Sequence, residues 1–167
     1  MKRSTGLTLL TACVVLVTLS HLDLQSADDS WLLVIDGRPV DVAGHVAERW
    51  NHLARDCRQV EHVAAEQPFH ARTLQTVREY SPPDSASAEV RRLIRSGDWA
   101  LADLQFSGLQ NAVVLLHETT QGLRILPEAM WSGTTHPLHE ASFIRRYMRL
   151  RAPEAPADLI RCFDPQP

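Results

Sequence analysis

The hydrophobic positions divide the chain into stretches of different period. From Asp41 to Glu66, apolar residues recur at spacings of three and four: Val42, Val46, Trp50, Leu53, Cys57, Val60 and Ala64. That spacing predicts one long amphipathic helix with this stripe turned inward. Asp41 is placed to cap its start and Pro68 to limit its end. Leu74, Val77 and Tyr80 predict a second helix over 69–80. Val90, Leu93 and Ile94 predict a third from Ser85 to Arg95.

Trp99 to Gly133 has a different pattern. Three apolar runs (WALADLQF, AVVLLHE and LRILPEAMWSG) are separated by SGLQN and TTQG. Apolar runs bounded by turn residues predict an antiparallel β-meander. In the first run Ala100, Ala102, Leu104 and Phe106 share a face, and Asp103 and Gln105 share the other with Trp99 and Leu101, so this strand is expected to be half buried. The middle run, apolar on both faces, is expected to be central. Pro127 predicts a bend or bulge that carries Met130 and Trp131 to the end of the sheet. A fourth helix is expected over 141–151 and a short last one over 157–163, with flexible ends at 28–30 and 164–167. Trp31 to Ile35 is expected to be an edge strand, a hairpin or an N-terminal strap, turning at Asp36-Gly37.

The expected fold class is therefore α+β. N-terminal helices pack on a small antiparallel meander of three to four strands, and two short helices follow. The first helix is expected to cover one sheet face. This order resembles cystatin-like and NTF2-like folds, in which a helix packs on a curved sheet; the resemblance is one of fold and implies no function.

The N-terminus changes the picture. Met1-Lys2-Arg3 is basic, Leu7 to Leu19 is free of charge and mostly apolar, and small or polar residues follow at Ser20 and Ser26-Ala27. This is the anatomy of a secretory signal peptide over 1–27, cut after Ser20 or Ala27. The apolar run is shorter than the roughly 20 residues of a membrane span. Leu10-Thr11-Ala12-Cys13 resembles a bacterial lipobox, which implies an alternative, membrane-attached form lipidated at Cys13. A single domain, 28–167, remains.

Composition narrows the function classes. The 167 residues carry a formal charge of −3. Without residues 1–27, which hold Lys2, Arg3 and Asp23, it becomes −4. A mildly acidic chain has no global attraction for nucleic acid, and membrane attachment is expected only through Cys13. Loss of Cys13 with the leader would leave Cys57 and Cys162, and two cysteines in an exported domain predict one disulfide.

Candidate chemistry is sparse. No G-x-S-x-G and no glycine-rich phosphate loop is present, and no catalytic residue or cofactor is assigned. His136, His139 and Glu140 form the close cluster of metal-ligand types, but H-x-x-H-E is not a zincin pattern. Arg145, Arg146 and Arg149 make the fourth helix basic and, with Trp131, are candidates for contacting a partner's carboxylates. The function expected is that of a periplasmic protein-binding or inhibitory protein rather than an enzyme, for example an immunity protein that neutralises a secreted effector or toxin. The alternatives are a small periplasmic metal-dependent enzyme acting through His136, His139 and Glu140, and an envelope accessory protein.

Overall fold

A computed structural model describes residues 21–27 and 30–165. The expected signal's apolar run, Cys13 and residues 28, 29, 166 and 167 lie outside them. The described residues form a mixed α/β fold of eight strands in two antiparallel sheets, with four α-helices. The first sheet contains β1 (Leu22–Ala27), β2 (Ser30–Ile35) and β3 (Arg38–Val40). Asp36 and Gly37, both at positive φ, join β2 to β3. Two such residues in succession suit a type I′ hairpin turn. Helix α1 (Val42–Ala54) follows.

The second sheet has the order β4 (Glu61–His62), β5 (Glu89–Ser96), β6 (Trp99–Gln105), β7 (Ala112–Thr119) and β8 (Gly122–Ser132). Helix α2 (Pro68–Tyr80) and a 3₁₀ turn at Asp84–Ser87 cover one face. Helices α3 (Glu140–Arg151) and α4 (Ala157–Cys162) cover the other. Alternation along the strands feeds two cores. Ala100, Ala102, Leu104, Val114 and Leu116 pack toward α2, while Leu101, Val113 and Leu115 pack toward α3 and α4.

The expected meander matches β6, β7 and β8, and the bend at Pro127 is present. Val114 pairs with Met130 and Leu116 with Ile125, so four β8 residues bulge opposite Leu115. The arrangement around the meander differs from expectation. A three-stranded sheet precedes the helices. The segment expected as a third helix is a short 3₁₀ turn and then β5. There, successive residues Leu93 and Ile94 enter opposite cores, as only a strand permits. A hairpin through Gly97, at φ +60°, pairs β5 with β6. The first meander strand is buried on both faces, Asp103 included, because it lies mid-sheet between two helical layers.

The first helix also stops early, at Ala54. Just beyond it, Asp56 accepts from the Arg58 backbone N–H at 3.1 Å, a local bond that competes with helix continuation. Cys57 therefore sits in the following turn, not on the helix. There it bonds Cys162 of α4, with Cα atoms 5.7 Å apart, the pairing expected from the sequence. Helix α1 packs on α3 and β2 rather than covering the large sheet. Two expected flexible positions are held. Ser30 begins β2 and accepts from Arg146. Asp164 is gripped by three arginines.

Candidate functional site

The junction of α1 and α3 is built around Asp41. One carboxylate oxygen accepts from the Gly44 backbone N–H at 2.7 Å and caps α1, as the sequence predicts. The other accepts from the His139 backbone N–H at 2.8 Å, at the start of α3. A Cβ at position 44 would lie 2.1 Å from Asp41 Oδ2 and 2.9 Å from His139 Cβ. Glycine is therefore required for this close approach.

Further along, Arg145 reaches from α3 into the seam, where it is 4% exposed. It donates to Glu48 of α1, to the Phe163 carbonyl at 2.7 Å and to Asp164 at 3.0 Å. Arg55 holds the other Asp164 oxygen at 2.7 Å, and His52 lies 2.9 Å from the second oxygen of Glu48. Burial pushes the Asp164 carboxyl up, but the hydrogen bond and charge of Arg55, with the charges of Arg145 and His52, outweigh it and hold it below its ordinary value. Glu48, His52 and Asp164 place ligand-type atoms within 4.8 Å of one another. Both oxygens of each carboxylate already face a cation or His52, so the donor set fits an ion-pair lock better than a metal seat.

The residues expected to meet a partner separate. Arg145 is internal. Arg146 donates to Ser30 Oγ and lies 5.6 Å from the centre of the Phe143 ring. Trp131 meets Phe143 edge-on, with centroids 6.5 Å apart, and closes the core between β8 and α3. Of the three arginines, only the Arg149 side chain lacks a hydrogen bond or ion pair among the described residues. Arg161 of α4, which no sequence pattern singled out, accepts from Asn51 through its backbone carbonyl at 2.8 Å, but its side chain has no such partner among the described residues. Burial, then the charges of Arg161, Arg145 and Arg146, lower the Arg149 pKa, and arginine stays protonated throughout the ordinary pH range. Arg149 and Arg161 line a groove of about 260 Å³ between α1 and α3 whose lining holds no carboxylate.

Trp50 and Ala47 lie on the edge of that groove and also belong to an open apolar surface. This surface joins Leu24, Trp31 and Leu33 of the first sheet to Val42 and Val46 of α1. Trp31 is 66% exposed and Trp50 71%. The stripe expected to face a core thus faces outward, while Gly44 and Glu48 face inward. The signal that points to this is weak: α1 carries Glu48, His52 and a glycine on the side that meets α3, so neither side is cleanly polar.

His136, His139 and Glu140 do not form a group of converging ligand atoms among the described residues. His136 is exposed, before a cis peptide to Pro137. His139 Nδ1 is buried without a hydrogen-bond partner among the described residues, its ring 5.0 Å from that of His45. Burial, and then the charge of Asp103, push the Glu140 carboxyl up, opposed by Arg91 and His139.

No protein-family model, curated protein or solved structure matches the chain. No helix among the described residues is long and apolar enough to cross a membrane.

Proposed function

We propose that this chain is an exported protein that binds another protein and acts by occupying it, as an immunity-type inhibitor does. The observation that carries the reading is the outward-facing apolar stripe of α1, continuous with Trp31 and Leu24 of the first sheet. A contiguous apolar surface of this kind is a feature of interaction sites, and tryptophan is enriched among the residues that dominate binding energy. The occupant it fits is an acidic segment of a partner protein carrying apolar side chains. The apolar groups would cover Val46 and Trp50, and carboxylates would pair with Arg149 and Arg161 in the adjoining groove. Export is supported by the Cys57–Cys162 bond and by the basic-then-apolar start of the chain.

The test is native co-purification from periplasm with the product of the adjacent gene, followed by titration calorimetry. Trp50→Ala, at an exposed position, should weaken the complex by about 30-fold, the weight of a hot spot. Arg149→Glu should also weaken it and flatten its salt dependence. No complex, or a complex indifferent to both changes, would refute the reading. A self-associated chain dissociated by Val46→Glu would refute it too, because a second copy would then occupy the face.

A further inference from the structure

A second concave site lies on the α2 side of the large sheet, on the opposite face from the arginine groove. A cavity of about 450 Å³ opens between the end of α2, the 3₁₀ turn and the neighbouring ends of β6, β7 and β8. Its floor is Leu104, Val114 and Ile125, and Phe106 and Met130 form part of its wall. Two local features adjoin it. The β8 bulge ends at Met130, which pairs with Val114. Helix α2 ends at Tyr80, and the chain turns through Ser81 to Pro83. The cavity is open to the surface and lined mostly by apolar side chains. The volume is within the roughly 300–1,000 Å³ range of small-molecule pockets.

The mouth defines the ligand. Among the described residues lining the cavity, Asp84 alone carries a charge. Tyr80, Gln110 and Ser132 also line it, and their side chains have no hydrogen bond among the described residues. An anionic head group would meet the Asp84 carboxylate with no cation in the lining to offset it. A hydroxyl, amide or ammonium would find acceptors and donors there.

We propose that this cavity is a binding site for a small amphiphile with an uncharged or cationic head and an apolar body of about ten to fifteen heavy atoms. The site is independent of the α1 surface and does not rest on the partner-binding reading. The apolar body of the ligand lies against Leu104, Val114 and Phe106, and the head group stays at the rim beside Asp84.

The test uses the purified, oxidised chain with the neutral dye N-phenyl-1-naphthylamine, displaced in turn by dodecanol, dodecylamine and dodecanoate. Saturable dye binding is expected. Dodecanol and dodecylamine should displace the dye at concentrations at least about tenfold below those needed for dodecanoate. Asp84→Lys, at an exposed position that leaves the core untouched, should reverse the order of amine and carboxylate. Ala112→Phe, which fills the cavity, should lower dye affinity about tenfold or more. The idea is overturned if the dye does not saturate, if dodecanoate competes as well as the amine, or if Asp84→Lys leaves the order unchanged. It is overturned equally if folded Ala112→Phe binds as the native chain does, or if Trp50→Ala abolishes binding, which would place the dye on α1.

Discussion

Replacing Arg145 with methionine tests the seam between α1, α3 and the C-terminal residues. Arg145 is 4% exposed and Glu48 8%. Methionine fills much of the stem's volume but removes the donors to Glu48, Asp164 and the Phe163 carbonyl. Asp164 keeps Arg55, and Glu48 keeps only His52. The dominant cost is a buried Glu48 carboxylate without its guanidinium, together with an orphaned carbonyl. Breaking a buried pair from one side costs about 3–5 kcal/mol. His52 and the partial exposure of Asp164 place the expected value near the lower end, about 3 kcal/mol. For a domain of this size that corresponds to a fall of about 10 °C in Tm. Urea unfolding of the oxidised protein, followed by far-UV circular dichroism, measures it as a drop in midpoint at constant slope. The double variant Arg145→Met with Glu48→Met removes both charges, and at least about 2 kcal/mol of the loss should return. A single-variant cost below about 1 kcal/mol, or a double variant as unstable as the sum of the singles, would refute the reading of this network as a buried lock.

Three further outcomes are expected. Non-reducing peptide mapping of exported protein should yield a Cys57–Cys162 species, and reduction should lower stability by up to about 4–5 kcal/mol, the loop-closure term for a separation of 105 residues; two free thiols would refute it. The lowered pKa of Asp164 has a definite sign: its contribution is complete above the ordinary carboxylate range and is lost as pH falls through the depressed value, so the stability difference between native and Asp164→Asn should shrink on acidification. A constant difference down to pH 2 would contradict that linkage. The mature N-terminus should follow Ser20 rather than Ala27, because Leu22 to Ala27 pair with β2 along their whole length; an intact mass beginning at Asp28 would show that β1 is dispensable.

The sequence by itself determined the features that depend on local chemistry. Asp41 caps α1, Asp36-Gly37 forms a turn, the three meander runs become strands and Pro127 bends the last of them. Each is legible because the determining contacts lie within a few residues, in a cap, a turn or a period of two. The cysteine pair was legible by counting, since once Cys13 is set aside only one pairing remains. Tertiary structure decided the rest. Leu93 and Ile94 satisfy a helical stripe as well as a strand, and only the ladder with β6, between two cores, makes β5 extended. The α1 stripe looked internal because apolar spacing identifies a face without saying what it faces. Glu48 turns inward because Arg145, 97 residues away, neutralises it there, and Val46 and Trp50 are left outside. The same long-range pairing separates the arginines of α3. Identical in type and one helical turn apart, Arg145 and Arg149 become a buried lock and an open cation according to which carboxylates the fold brings within reach.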